Sequence, residues 1–198
     1  ILIHMNDNKL IPYSTQDINK EDIEAVTEVL KSNYLTQGPK VNEFEKLVSN
    51  ELGVKYALAV NSATSALHLA CIAIGLSKGD YLWTTPNTFV ASANCGLYCG
   101  AKIDFVDICY ETGQISIEKL EQKLEISEKV NALPKVLVLV HFSGSTCELD
   151  KVSKLSKKYN FKIIEDASHA FGAKYKGSKI GSCEYSDITV FSLHPVKI

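Results

Sequence analysis

Apolar positions along this chain recur with two different periods, and the elements change where the period changes. Ile23, Val26, Val29 and Leu30 follow Asn19 at helical spacing, with Glu21 and Asp22 in the first turn, where the helix dipole favours acids. The spacing predicts an amphipathic helix ending near Ser32. The next stretch, Y-L-T-Q-G-P-K from Tyr34 to Lys40, is a loop by its Gly-Pro pair, and Pro39 suits the first position of a second helix. Val41, Phe44, Leu47 and Val48 make that helix's expected buried stripe, and Gly53 stops it.

From Tyr56 short apolar runs alternate with helical stretches. Strands are expected over Tyr56 to Val60, Tyr81 to Thr84, Lys102 to Val106, Val136 to Val140, Lys162 to Glu165 and Asp187 to Phe191. Between them lie helices from about Thr64 to Ile74, from beyond Asn87 to about Tyr98, and from Ser116 to Glu128 with the stripe Ile117, Leu120, Leu124. A further helix, capped by Asp150, carries Val152, Leu155 and Tyr159 near one face. Ala173 to Ile180 reads as a hairpin turning at Lys176 and Gly177. This βαβ rhythm implies an α/β fold, a mostly parallel sheet flanked by helices on both faces. No internal repeat or low-complexity tract interrupts it.

Composition narrows the field without choosing within it. A length of 198 residues and 45% hydrophobic content suit one sizeable core. The formal net charge of -2, with basic residues scattered, leaves no electrostatic footprint for nucleic acid or an anionic membrane. No apolar run approaches the roughly 20 residues of a membrane span. The six cysteines form neither a C-x-x-C pair nor a zinc-finger spacing, and the N-terminus lacks a signal-peptide pattern; reduced thiols in the cytoplasm are the expectation. The chain begins with Ile1 and stops at Ile198 with no closing helix, which reads as a piece of a longer protein.

Candidate chemistry gathers at expected strand ends, where α/β folds bind ligands. F-K-I-I-E-D-A-S-H-A, from Phe161, delivers Glu165, Asp166, Ser168 and His169 after a buried run, and F-S-L-H-P-V-K-I, from Phe191, delivers Ser192, His194 and Lys197. Asp166 is either a loop or capping acid, or the partner of a buried cation such as a pyridinium nitrogen. Lys197 is either solvated, or a lysine whose free amine attacks a carbonyl. N-S-A-T-S-A-L, from Asn61, stands at a strand-to-helix junction. Its small residues and hydroxyls make either an ordinary cap or an anion site for a phosphate. Phe89, in T-T-P-N-T-F-V-A-S-A-N from Thr84, belongs either to the core or flat against a planar ring. His169 and His194 have no third ligand at a recognisable spacing, so no metal site is expected. Neither G-x-G-x-x-G nor a P-loop is present, which argues against a dinucleotide oxidoreductase. Taken together, the lysine, the acid and the helix start are what pyridoxal phosphate requires.

The order N-S-A-T-S-A-L-H-L-A, T-T-P-N-T-F-V-A-S-A-N, E-D-A-S-H-A and F-S-L-H-P-V-K, preceded by L-T-Q-G at Leu35 to Gly38, resembles the DegT/DnrJ/EryC1/StrS family of sugar aminotransferases of fold type I. The resemblance implies a pyridoxal 5′-phosphate enzyme that moves the amino group of glutamate to C4 of a 4-keto-6-deoxy nucleotide sugar. It implies that Lys197 carries the cofactor covalently, that Asp166 pairs with the pyridine nitrogen and that His169 lies near the ring. It further implies that Phe89 stacks on the ring, that Ala63, Thr64 and Ser192 surround the phosphate, and that Thr36, Gln37 and Gly38 line the sugar pocket. By the same resemblance, residues 1–40 are an N-terminal helical segment and substrate loop, 41–198 are an incomplete cofactor-binding large domain, and a C-terminal domain is absent. The whole protein would be a homodimer. Two other functions stay open here: another nucleotide-sugar aminotransferase of the family, acting on a different sugar or at C3, and a non-catalytic cofactor-binding or regulatory protein.

Overall fold

Helix α1 (Lys20–Lys31) begins where Asn19 accepts hydrogen bonds from the backbone N–H groups of Glu21 and Asp22, and Asp22 reaches back to the Asn19 N–H, completing a capping box. In the computed structural model, which describes residues 3–4, 10–12 and 15–197, it follows a short antiparallel pair, β1 (Ile3–His4) with β2 (Leu10–Ile11). Pro39 opens helix α2 (Pro39–Leu52), and Gly53 ends it in the left-handed conformation. Both helices stand where the periodicity puts them, yet their apolar stripes are not buried. Ile23, Val26 and Leu30 on α1, and Phe44 and Leu47 on α2, are exposed, and of all the residues in these two helices Leu52 alone is buried. A helical period reports that a face is apolar; it does not say that the same stretch of chain supplies its cover.

The expected strand from Tyr56 to Val60 has no ladder partner among the described residues, with Tyr56 and Leu58 in solvent. Apolar character favours an extended chain, but a strand also needs a hydrogen-bonding neighbour. Among the described residues only the Ala59 N–H of this stretch finds an acceptor, the Glu45 carboxylate at 2.8 Å.

Beyond this point pattern and structure agree closely. Helix α3 (Ala63–Ala73), strand β3 (Tyr81–Thr84), helix α4 (Ala91–Tyr98) and strand β4 (Lys102–Phe105) are followed by helix α5 (Ile117–Lys129), capped by Ser116, and strand β5 (Val136–Val140). Helix α6 (Leu149–Tyr159), strand β6 (Lys162–Asp166), the hairpin of β7 (Lys174–Tyr175) with β8 (Ser178–Lys179), and strand β9 (Ile188–Val190) complete the order. Asp150 does not cap α6: the N-cap position is Glu148, and the Asp150 carboxylate instead accepts from the Tyr175 hydroxyl and pairs with Lys176 Nζ at 2.9 Å. Two long-range donors on the hairpin outcompete the local cap.

The sheet runs β4-β3-β5-β6-β9 and every pairing in it is parallel. Successive side chains of a strand point to opposite faces, and both faces here are covered. Leu137, Leu139 and Ile163 pack with Leu120 and Leu124 of α5 and Val152 of α6; Val136, Val138 and Ile164 pack with Leu67 and Cys71 of α3 and Cys95 of α4. The same alternation sends Glu165 toward the α5/α6 face and Asp166 toward the α3/α4 face. No helix among the described residues is long and apolar enough to cross a membrane. All six cysteines are free thiols.

Candidate active site

In a parallel sheet all strands finish at one edge, so whatever follows them is brought together there. Asp166 is the last residue of β6, paired in register with Val140 of β5 and Val190 of β9, and is 5% exposed. Ladder pairing thus extends one residue past Glu165, where the sequence pattern ends the strand, and gives Asp166 a fixed backbone. Its Oδ2 accepts from Ser92 Oγ on the first turn of α4 at 2.7 Å. Oδ1 accepts from Ser168 Oγ at 2.7 Å and from the Ser168 N–H at 3.3 Å.

Lys197 lies in the turn after β9, and its Nζ is 2.9 Å from His169 Nε2. The lysine turn is closed by its own backbone, Lys197 N–H donating to the His194 carbonyl at 2.7 Å. Burial and the Lys197 charge lower the His169 pKa, while Asp166 raises it by less. A neutral imidazole beside the amine follows, and it accepts the hydrogen bond from Lys197 Nζ. His169 is held from behind by the turn after β5. The carbonyl of His169 lies so close to Gly144, with φ of 78°, that a Cβ there would stand 2.7 Å from it. Only glycine accepts both that approach and that backbone conformation.

Ala63 and Thr64 open α3. Ser62 caps the helix, accepting from the Ser65 N–H at 3.1 Å, so the ordinary cap is present. The N–H groups of Ala63 and Thr64 have no acceptor among the described residues and stand at the positive end of the helix dipole. Ser192 follows β9 by two residues and its Oγ accepts the His194 N–H at 3.4 Å. Phe89 is 68% exposed, between the end of β3 and α4, and so is not part of the core. Thr36 and Gln37 are exposed in the loop before α2, and no hydrogen bond among the described residues joins Thr36, Gln37 or Gly38 to the strand-end group.

Sequence reasoning assigned no role to three residues that the fold brings to this edge. Ser92 reads as one more small residue in A-S-A-N; nothing local marks it as a donor to Asp166. His141 and Glu165 are 1% and 2% exposed, with His141 Nε2 at 2.6 Å from Glu165 Oε2. Glu165 Oε1 accepts from Thr189 Oγ1 at 3.1 Å and from Ser186 Oγ, and the His141 N–H donates to the Asp166 carbonyl at 3.1 Å. A buried carboxylate with three donors ties β5, β6 and β9 together directly behind Asp166. The position of His141 just after an apolar run, like that of Asp166, was the available signal.

The edge therefore offers an amine against a neutral imidazole, a buried carboxylate held at both oxygens, and unpaired amides at a helix start. Residues 16–198 match the model of the DegT/DnrJ/EryC1/StrS aminotransferase family. The chain is 48% identical over 189 residues to the UDP-4-amino-4,6-dideoxy-N-acetyl-beta-L-altrosamine transaminase of Campylobacter jejuni, covering 95% of this chain and 48% of that protein. Among solved structures it is similar to Helicobacter pylori PseC, an aminotransferase involved in the biosynthesis of pseudoaminic acid, with a TM-score of 0.85 and 38% identity, covering 94% of this chain and 48% of that one. The PLP form of Spr1654 from Streptococcus pneumoniae superposes with a TM-score of 0.83 at 31% identity, covering 94% of this chain and 50% of that one. The chain spans about half the length of the curated relatives it matches. With a family model matched over nearly all of its residues, and its fold shared with solved members, this chain belongs to the DegT/DnrJ/EryC1/StrS aminotransferase family.

Proposed function

We propose that the whole protein is a pyridoxal 5′-phosphate-dependent aminotransferase. It moves the amino group of glutamate to C4 of a UDP-linked 4-keto-6-deoxy-N-acetylhexosamine, giving UDP-4-amino-4,6-dideoxy-N-acetyl-beta-L-altrosamine on the pseudaminic acid route. The observation that carries the reading is the contact of Lys197 Nζ with His169 Nε2, at the strand edge that also holds Asp166. The 48% identity to the Campylobacter jejuni transaminase supports the choice of sugar. Residues 41–198 are then the cofactor-binding domain and 1–40 the helical segment with the substrate loop Thr36–Gly38. The exposed apolar faces of α1 and α2 support a homodimer, with a further domain in the rest of the chain.

The donor set fits the cofactor. Lys197 supplies a primary amine for covalent attachment, and Asp166 a buried anion for the ring nitrogen. The amides of Ala63 and Thr64 with the Ser192 hydroxyl suit a phosphate, and the exposed Phe89 ring suits a planar partner. When bound, the cofactor supplies an electron sink for the carbon that loses its proton. Asp166 keeps the ring nitrogen protonated, because a fixed anion beside it favours the charged form. Lys197 Nζ, once free, takes the proton from the α-carbon of glutamate and later returns one at C4 of the sugar. His169, neutral, orients that amine by accepting its hydrogen bond.

The test is reconstitution of the full-length protein with pyridoxal phosphate, followed by borohydride reduction and peptide mapping. Fixed cofactor on Lys197, with formation of 2-oxoglutarate and an amino sugar from glutamate and the 4-keto substrate, is the expected result. Label on another lysine, or no turnover by loaded protein across a panel of 4-keto nucleotide sugars, would refute the reading.

A further inference from the structure

We propose that Ser92 is a positioning residue for Asp166: it fixes the plane of the carboxylate and directs Oδ2 to the ring nitrogen of the cofactor. This rests on the reading that Asp166 is that nitrogen's partner. Ser92 is fully buried on the first turn of α4, and its Oγ lies 2.7 Å from Asp166 Oδ2. Behind it, Thr88 Oγ1 is 2.8 Å from Ser92 Oγ.

The proton direction in this chain is forced. An ionised carboxylate only accepts, so the single hydroxyl hydrogen of Ser92 goes to Oδ2. Ser92 then has only lone pairs to offer Thr88, and Thr88 must be the donor. Hydrogen bonds aligned this way, Thr88 to Ser92 to Asp166, polarise one another, and the last of them is charge-assisted.

The second oxygen fixes the geometry. The terminal torsion of an aspartate is broad, so one hydrogen bond leaves the carboxylate free to swing. Ser168 holds Oδ1 with two donors, its hydroxyl at 2.7 Å and its N–H at 3.3 Å, from a different element than α4. Held at both oxygens, the group cannot rotate. Oδ1 takes two donors and Oδ2 takes one among the described residues, so Oδ2 keeps the lone pair available to a further N–H. Asp166 therefore meets its partner through the oxygen that Ser92 controls.

Four full-length proteins test this: the unsubstituted chain, Ser92→Ala, Ser92→Thr and Thr88→Val. The measurements are the Kd for pyridoxal phosphate by absorbance titration, the pH profile of kcat, and Tm without cofactor. Ser92→Ala is expected to weaken cofactor binding roughly ten- to a hundredfold, the range lost when outer partners of metal ligands are removed. It also moves the acid limb of the kcat profile to higher pH, because a carboxylate that loses a donor to its charged form holds a proton more tightly. Ser92→Thr restores both by keeping the hydroxyl, and Thr88→Val shifts both in the same direction by less. A merely structural serine would lower Tm in Ser92→Ala while leaving Kd and the pH profile unmoved, and that result overturns the proposal. Should Ser92→Thr lose stability through its added methyl, Thr88→Val decides, an unchanged Kd and profile counting against us. An unsubstituted protein with no borohydride-fixed cofactor on Lys197 overturns the underlying reading instead, and is recognised because nothing loads at all.

Discussion

Replacing Glu165 by alanine is expected to cost more stability than any surface change in this chain, through the three donors it strands. His141 Nε2 at 2.6 Å, Thr189 Oγ1 at 3.1 Å and Ser186 Oγ all point at this carboxylate, inside a region where Glu165 and His141 are 2% and 1% exposed. The hydroxyls can turn, but the imidazole cannot. His141 Nδ1 has no partner among the described residues, so removing Glu165 leaves both ring nitrogens buried and unpaired there. A buried donor left unsatisfied costs about 1–3 kcal/mol and the cavity left by truncating the side chain adds to it, so the total expected is about 3–5 kcal/mol. That corresponds to roughly two to three and a half decades in the folding equilibrium. Glu165→Gln is the graded comparison. Its amide oxygen can face His141 while the hydroxyls rotate to accept from the NH2, so only the charge assistance is lost, at about 1–3 kcal/mol. Urea unfolding followed by far-UV circular dichroism measures both. Combining each with His141→Ala in a double-mutant cycle isolates the pair, for which coupling within the 0.5–3 kcal/mol range of contacting residues is expected. A Glu165→Ala protein within about 1 kcal/mol of the parent would refute the argument, because it would mean that water already satisfies these groups.

Other expectations follow from the same geometry. Since the folded His169 pKa lies below the unfolded value of 6.5, held there by burial and then by Lys197, the unfolded chain binds more protons between the two values. Stability is therefore full above pH 6.5 and falls as pH drops through that window; His169→Gln should flatten the dependence in urea melts taken above and below it. Asp150 is held down to about 2, first by the Tyr175 hydroxyl and then by Lys176, so its contribution is present above pH 3.8 and lost as pH falls toward 2. Asp150→Asn should remove that acid step, read as hydrogen exchange in the β7–β8 hairpin. Gly96 sits where α4 crosses the sheet, and a Cβ there would stand 2.6 Å from Ile103 Cδ1 and 3.0 Å from Leu82 Cβ. Gly96→Ala should destabilise by about 1–2 kcal/mol, over-packing outweighing the helix propensity gained, and an equally stable variant in urea would show that the contact relaxes freely.

How much was legible in the residues depended on how far apart the deciding groups stand. Asn19 and Ser116 cap their helices and Gly53 ends one, and each could be recognised because the donors it meets lie within a turn of it. Asp150 was misread as a cap because its partners, Tyr175 and Lys176, come from a hairpin that local pattern does not attach to α6. The strand runs Val136–Val140 and Lys162–Asp166 were visible as apolar runs, since burial on both faces demands them. Ser92 was not visible, because its meaning depends on an acid 74 residues away.

Local order alone thus determined the alternation of helices and strands, the parallel character of the sheet, and the succession of an acid, a histidine and a lysine after two strands. Chain neighbours set those features through backbone sterics, capping and periodic burial. Tertiary contacts settled that Asp166 is held at both oxygens, that His141 and Glu165 brace it from the opposite face, and that the apolar sides of α1 and α2 are uncovered among the described residues. The reason is that a parallel sheet collects its strand ends from distant segments, and the contacts made there follow from register and packing rather than from any residue's immediate neighbours.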